Sequence, residues 1–577
     1  MNLSDVLKLV SPDLGRSLKG LAPEIVLVAT IVLLLMWRVF QRSARSSLSG
    51  VAMVGTLVAL LLAGVQLLNM QGLAMMEEST FQNPVSRFIV GPVSKIVSTQ
   101  STQSAKEQHD TAKDLFSGAV ETAPGEAGPP KPRGMIRFDG FAVFLRLFLL
   151  AFTAATIWLT TLTGIPDNED SPDFYTLLLG ATLGMMLMAS ANHLLIVYIA
   201  IEMASLPSYA MAGFLKGRRD ASEASLKYVV YGAGASGIML YGISLLVGRY
   251  GTAHIPTLSV TIASSAGGLD AVLLLGLLLL LVGVAFKIAA VPFHFWCPDV
   301  FEGAAAEVAG FLSVASKGAA LALLARLTIS LTSNTAISNF AERPPLGDFL
   351  AVVIGVMAAV TATYGNLAAY AQTNLKRLLA FSTIAHAGYM MMPVAAAIAV
   401  GKNQTNAARL PLESLAFYLM TYFVMNLGAF AVVALIRNRI RSEDLKDYTG
   451  LARRCPLLTV AMAVFLLSLT GIPPLAGFAA KWNVVFVLYS VKLYWLMVVL
   501  LANTVFSAFY YVKVLRVMIV DPSDDAAPGW SVPRPAAAFC GLLIAANFGV
   551  MLMWKAWDAM ALLSQFAVVN LLEPFEL

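Results

Sequence analysis

The chain has 577 residues, of which 58% are hydrophobic and 13% charged, and its formal net charge at pH 7 is +5. A soluble globular protein carries about a quarter charged residues, so this composition excludes that class and places the chain in a bilayer. The net charge is too small for the length to specify a partner, and no nucleic-acid partner is expected.

Apolar windows of about 20 residues, the thickness of the hydrocarbon core, recur along the sequence. They predict an all-α polytopic fold of about fourteen spans. The first seven cover residues 22–41, 50–70, 138–162, 174–191, 194–214, 224–248 and 271–292. The second seven cover 305–329, 349–370, 376–399, 413–436, 456–486, 492–518 and 535–556. The opening apolar stretch, Ile25 to Trp37, has no small-residue cleavage site followed by a soluble domain and reads as a retained helix rather than a signal peptide. Residues 1–70 therefore hold two N-terminal spans. Residues 71–137, which include ETAPGEAGPPKPR (121–133), cannot bury an apolar face and read as a partly disordered extramembrane insertion. Residues 138–173 form the third span and its loop, and 535–577 a last span and tail.

Basic residues concentrate in the connections after odd-numbered spans: Arg38, Arg42, Arg45; Lys216, Arg218, Arg219; Arg437, Arg439, Arg441, Lys446, Arg453, Arg454. By the positive-inside rule these connections are cytoplasmic, which puts both termini on the opposite face. The expected location is a bacterial inner membrane, although an organelle-encoded chain would look similar.

Three cysteines, Cys297, Cys455 and Cys540, are far apart and form no CxxC pattern, so they read as structural rather than as cluster ligands. No glycine-rich dinucleotide or phosphate loop follows a strand pattern. No cofactor or metal is therefore expected on this chain. Two isolated histidines, His294 and His386, do not make a haem site.

The stretches VGVAFKIAAVPFHFW (282–296) and LTGIPPLAGFAAKW (469–482) each place glycine, proline and lysine inside an apolar helix, at comparable positions in the two halves. Interrupted helices in matching positions suggest a transporter. Pro292, Pro473 and Pro474 each free a backbone carbonyl, which a membrane tolerates only where side chains or water meet it.

A charge at mid-bilayer costs about 2.5 to 3.5 kcal/mol on insertion scales and usually faces a cavity or a partner. Glu202, Lys287, Lys317 and Lys481 all sit inside apolar runs. Passing a proton along such a set makes and breaks ion pairs in turn, so it can carry an electrostatic change through the membrane. His386 is suited to bridge two lysines as a relay. Each position also has a structural reading, as a snorkelling lysine or a static pair. Lys227 reads either as a cytoplasmic proton-uptake group or as a snorkelling span end, with Glu223 one turn earlier as its partner. His294 reads as a relay or as a loop-holding hydrogen-bonder. Asp299, Glu302 and Glu307 are expected to flank a water-facing mouth, whereas Lys376 and Arg377 are explained by topology alone. The glycines of YGAGASG (231–237) permit close helix packing.

FKIAAVPFHFWCPDVFEG (286–303), FLSVASKGAA (311–320), QTNLKRLLAFSTIAHAGYM (372–390) and LTGIPPLAGFAAKW resemble the antiporter-like membrane subunits of complex I. Within that family, IEMASLPSYAMAGF (201–214), LAPEIVL (21–27) and EASLKYVVYGAGASG (223–237) are similar to the subunit N branch. The likeness runs from about residue 20 to residue 520, interrupted by the long insertion. It implies two inverted five-helix repeats with broken helices, here 174–330 and 349–520, and puts Glu202, Lys287, Lys317 and Lys481 on a central polar axis. It implies a proton translocase subunit of NADH:quinone oxidoreductase with other membrane subunits, especially antiporter-like neighbours, as partners. NADH, FMN, iron-sulfur clusters and quinone would then belong to other subunits. Four alternatives stay open at this point: a multisubunit cation/proton antiporter or membrane-bound hydrogenase, a relative using another electron donor such as ferredoxin, a purely structural membrane subunit and, ranked last, a solute carrier acting alone, for which the sequence shows no substrate pocket.

Overall fold

The computed structural model describes residues 20–40, 48–78, 134–167, 170–265, 269–332, 345–400, 405–521 and 529–552. Among these the chain is helical throughout, with three isolated bridges and no strand. The helices are α1 (Ala22–Phe40), α2 (Ser49–Glu78), α3 (Gly140–Thr163), α4 (Ser171–Ser190), α5 (Leu194–Ala212) and α6 (Arg219–Tyr250). After the short α7 (Ile255–Ser264) come α8 (Ala271–Ile288), α9 (Trp296–Gly303) and α10 (Ala306–Phe311). A π-helical turn, Leu312–Ser316, joins α10 to α11 (Lys317–Thr332). The second half holds α12 (Pro345–Ala369), α13 (Leu375–Ala399), α14 (Thr405–Ile440) and α15 (Leu451–Arg454). The last helices are α16 (Pro456–Thr470), α17 (Ala476–Ser490), α18 (Tyr494–Ile519) and α19 (Arg534–Leu552).

Twelve helices among the described residues are long and apolar enough to cross a membrane. Two differences from the sequence expectation are physical. The span expected over 456–486 is two half-helices, because Gly471 adopts φ 89° and Pro473 and Pro474 supply no N–H to continue the ladder. Helix α2 runs on to Glu78, inside the expected insertion, while residues 79–133 lie outside the described residues.

Burial sorts the helices into a shell and a centre. Helix α2 and the outer face of α18 expose Val54, Leu61, Val505 and Phe509, the surface a lipid-facing helix presents. The segment Ala306–Thr332 and α13 are buried on every side, as expected for helices that are apolar all round. Glycine brings the central helices together: a Cβ at Gly365 of α12 would meet the Ala385 nitrogen at 2.6 Å, and one at Gly388 of α13 the Ala362 nitrogen at 2.5 Å. In YGAGASG, Gly232 is such a contact, against the Tyr209 ring, whereas Gly234 and Gly237 face open space.

Buried ion pairs tie the first half. Arg326 of α11 makes two 2.7 Å bonds to Asp139, which caps α3, and a third of 2.7 Å to the Ala189 carbonyl at the end of α4. Arg146 of α3 donates to Glu24 of α1 at 2.6 Å. Removing one partner of a buried pair costs about 3 to 5 kcal/mol where the other charge is left uncompensated, and for Asp139 the loss of Arg326 leaves Arg137 at 3.1 Å as a remaining partner. Arg326→Leu is therefore expected to lower the yield of assembled protein and its thermal unfolding temperature. The double variant Asp139→Leu/Arg326→Leu should lose less than the single one, and a thermal-shift comparison of the two checks this.

Candidate functional site: a buried polar row

The helix breaks set the site. Helix α8 stops at Ile288 because Ala289 turns into the left-handed region at φ 59°. The freed backbone groups are met by side chains: the Val291 N–H donates to Thr361 Oγ1 at 3.0 Å, and Trp296 Nε1 donates to the Phe286 carbonyl at 2.9 Å. At the second break the Ala476 N–H donates to Asn547 Oδ1 at 3.2 Å and the Gly477 N–H to Ser468 Oγ at 3.1 Å. Each interruption is thereby held at membrane depth, as bilayer physics demands, and each sits beside a lysine.

The four charges chosen from the sequence lie in or beside the buried interior. Glu202 is partly buried on α5 and accepts a short hydrogen bond from Ser236 of α6. Lys287 is fully buried at the end of α8, and its ammonium has no hydrogen-bond acceptor among the described residues. It lies 5.7 Å from the ring centres of both Tyr209 and Tyr228, a cation–π arrangement. Glu202 is the carboxylate that acts on it electrostatically, at longer range than a direct ion pair. Tyr228 stacks on Trp296 at 4.2 Å, and Trp296 meets Phe301 edge-on at 6.5 Å. Phe301 in turn lies 5.7 Å from the Lys317 ammonium.

Lys317 follows the π-helical turn and is fully buried. It donates to Thr383 Oγ1 at 2.7 Å and lies 3.6 Å from Cys297 Sγ. Thr383 begins a stripe on α13, because Thr383, His386 and Tyr389 follow at intervals of three residues. His386 Nδ1 is 2.8 Å from the Tyr418 hydroxyl, and Nε2 is 3.5 Å from that of Tyr511. Both Lys317 and Lys481 act on His386 electrostatically. Tyr389 carries the row on: the Lys481 ammonium is 4.9 Å from its ring centre and donates to the Thr470 carbonyl at 2.9 Å, beside the second break.

The weaker candidates fall at the edge of this row. Lys227 is 39% exposed and pairs at 2.8 Å with both Glu223 and Asp299, so its expected local partner is present. Burial works to raise the Asp299 carboxyl, but hydrogen bonds from Lys227 and Arg377 hold it below its ordinary value. His294 is buried against Tyr364 at 4.4 Å, and its carbonyl accepts the Cys297 N–H at 2.9 Å. Its Nδ1 has no hydrogen-bond partner among the described residues.

Several readings from sequence need correction. Asp299 and Glu302 are partly exposed and share Arg377 at 2.6 Å, as a mouth requires, but Glu307 is 1% exposed and lies inside. Lys376 does more than mark topology: its side chain is fully buried, paired with Glu443 at 2.9 Å, and donates to the Ala304 carbonyl at 2.6 Å. Arg437 joins the same carboxylate at 2.9 Å. Cys297 is buried as expected, but in contact with Lys317 and within 4.0 Å of Thr383 rather than as remote filler. Sequence reasoning also passed over Tyr389, Tyr418, Tyr422 and Asn426. The signal for the last three was their spacing of four in FYLMTYFVMN, which stacks polar groups on one face of α14.

The family described as NADH:quinone oxidoreductase/Mrp antiporter, TM, matches residues 191–507, which hold every residue of this row. A curated relative, NADH-quinone oxidoreductase subunit N of Anaeromyxobacter sp. (strain Fw109-5), is 40% identical over 432 residues, covering 70% of this chain and 81% of its own length. Among solved structures, a chain of respiratory complex I from Thermus thermophilus aligns with TM-score 0.64 and 28% identity, covering 92% of this chain and 97% of that one. A chain of the Mrp complex from Dietzia sp. DQ12-45-1b aligns with TM-score 0.65 at 20% identity, covering 91% and 98%, a likeness of fold alone. With its helix-bound lysines and interrupted spans, the chain belongs to the NADH:quinone oxidoreductase/Mrp antiporter family, in the subunit N branch of NADH-quinone oxidoreductase.

Proposed function

We propose that this chain itself moves protons, as a membrane subunit of an NADH:quinone oxidoreductase, along the row Glu202, Lys287, Lys317, His386 and Lys481. One observation carries the reading. Each of the three lysines is buried and lacks a carboxylate within ion-pair distance among the described residues, holding instead to hydroxyl, carbonyl or aromatic groups. A static pair fixing helix packing would bring acid and base together, as Arg326 and Asp139 do. Lysines held by weak neutral partners change protonation at lower cost, and that is what a transfer chain needs.

On this reading a proton arriving at one lysine repels its neighbours, and the Glu202 carboxylate offsets the charge at the Lys287 end. His386 passes a proton between its two ring nitrogens, with the Tyr418 and Tyr511 hydroxyls as the next groups. Lys227, Asp299 and Arg377 gather charge at the cytoplasmic mouth, and His294 positions the loop beside it. Electron transfer from NADH through FMN and iron-sulfur clusters to quinone is placed in other subunits, with antiporter-like membrane subunits as neighbours. Fourteen spans follow if α1 and the α16–α17 pair are added to the twelve long helices. Two inverted repeats, at 174–330 and 349–520, would then relate the two breaks. The proposed location is a bacterial inner membrane with both termini outside.

The test is NADH-driven proton uptake by membrane vesicles bearing the parent complex, Lys287→Ala or Glu202→Ala, after assembly has been confirmed. Turnover and pumping are expected to fall together, by about three- to tenfold, a barrier change of roughly 0.7 to 1.4 kcal/mol. Unchanged rates in assembled complexes would return these residues to a packing role.

A further inference from the structure

One buried acid outside the row has no ion-pair partner among the described residues, unlike Glu24, Asp139 and Glu443. Glu307 stands in the first turn of α10, 1% exposed, and neither of its carboxyl oxygens has a hydrogen-bond partner among the described residues. Burying a polar group without a hydrogen-bond partner is costly, so an acid retained at such a place marks a polar site rather than packing filler. The dipole of a helix N-terminus eases the burden but supplies no hydrogen bond to either oxygen.

Its position gives the acid neighbours on both sides along the chain. Three residues before it, the Ala304 carbonyl receives the Lys376 ammonium, which is paired with Glu443 and through it with Arg437. Six residues after it, about 9 Å along a helix, Ser313 accepts a hydrogen bond from Asn426 of α14. Asn426, Tyr422 and Tyr418 follow at intervals of four and share one face of α14. That face ends at His386, whose ring centre is 5.1 Å from that of Tyr422 and whose Nδ1 is 2.8 Å from the Tyr418 hydroxyl. Between the two ends, Asn426 Oδ1 and the Tyr422 hydroxyl are buried polar atoms without a protein partner. Buried polar atoms of this kind are commonly bonded by ordered water.

We propose that Glu307 is a proton-carrying station, which takes up a proton on the Lys376–Glu443 side and passes it along Ser313, Asn426 and Tyr422 to His386. The proposal rests on the proton-transfer reading of the row and adds to it a feeding branch with an acid at its head. The step is a proton exchange only: a water O–H on the Lys376–Glu443 side breaks as an O–H forms at a Glu307 carboxyl oxygen, that bond breaks as water held by Ser313, Asn426 and Tyr422 takes the proton, and an N–H forms at the His386 ring, so no oxidant or reductant is needed.

The test uses the intact complex in membrane vesicles, with Glu307→Gln, Glu307→Asp and, for reference, Lys317→Ala. Glutamine keeps volume and polarity but carries no exchangeable acid proton. Glu307→Gln is expected to assemble and to lose at least about threefold in NADH-driven pumping and turnover, with Glu307→Asp recovering most of it. The infrared difference spectrum of NADH-reduced against oxidised complex should show a carboxyl C=O band that moves in heavy water, shifts in Glu307→Asp and vanishes in Glu307→Gln. If the glutamine variant does not assemble, the shifted band of the aspartate variant decides, and its absence overturns the proposal. Parent-like pumping with an unchanged band in assembled Glu307→Gln also overturns it. In that case an inactive Lys317→Ala leaves the row standing and removes only the branch, whereas a fully active Lys317→Ala removes both.

Discussion

Replacing Lys317 by alanine lowers NADH-driven proton pumping and quinone-linked turnover by about tenfold or more in an assembled complex, a barrier increase of about 1.4 kcal/mol or more. The expectation is larger than for Lys287 because of where Lys317 stands. It has the Phe301 ring on one side and Thr383 on the other, and it acts on His386, so both segments of the row pass through it. Alanine also leaves a cavity, and Lys317→Met separates the two effects because it fills the space without the charge. The methionine variant should assemble as the parent does and still fail to pump. Thr383→Val removes one acceptor and leaves Cys297 beside the ammonium, so a loss of about two- to fourfold is expected, roughly 0.4 to 0.8 kcal/mol. Vesicle proton-uptake rates normalised to assembled complex check all three, and a pumping Lys317→Met would remove the row from the mechanism.

Gly477→Ala is expected to abolish accumulation of assembled protein. A Cβ at this position would lie 1.8 Å from the Ser468 carbonyl oxygen and 2.7 Å from its carbon, and both are backbone atoms that cannot rotate away. Relief requires α16 and α17 to part at the break. That motion also strains the bonds from Asn547 and Ser468 that meet the freed N–H groups. Overpacking costs about 1 to 3 kcal/mol where side chains can yield, and a backbone collision costs more. Gly541→Ala on α19 is the control, since nothing lies within 4 Å of its Cβ position. Membrane yield measured by subunit-specific immunodetection should be parent-like for Gly541→Ala and near zero for Gly477→Ala.

Much of this architecture was legible in the sequence because the bilayer imposes a simple length and polarity filter. Spans such as 138–162 and 376–399 emerge as α3 and α13 within two residues, and the same cost argument that found the spans found Lys287, Lys317 and Lys481 inside them. The filter is blind to what joins distant residues. Arg326 falls near the end of the span expected over 305–329 with no partner close in sequence, yet it is a buried clamp on a residue 187 positions earlier. Lys376 sat where a snorkelling lysine belongs, and only the fold brings Glu443 and the Ala304 carbonyl to it. Glu307 was set with Asp299 and Glu302 because three acids close in sequence suggest one wet surface. The chain instead turns inward at Ala304, between α9 and α10, and separates the third acid from the other two. The tyrosines of α14 were missed because a hydropathy window scores an aromatic ring and overlooks its hydroxyl.

The Arg326 clamp has a consequence for biogenesis. A ribosome adding about 5 to 20 residues per second makes the 187 residues between Asp139 and Arg326 in roughly 10 to 40 s. Within that interval α3 and α4 are completed, while Asp139 and the Ala189 carbonyl still lack their shared donor. Closure of the first half is therefore an event timed by translation, completed only after α11 has left the ribosome. A stall or truncation before Arg326 leaves α3 and α4 without the donor that joins Asp139 to the Ala189 carbonyl.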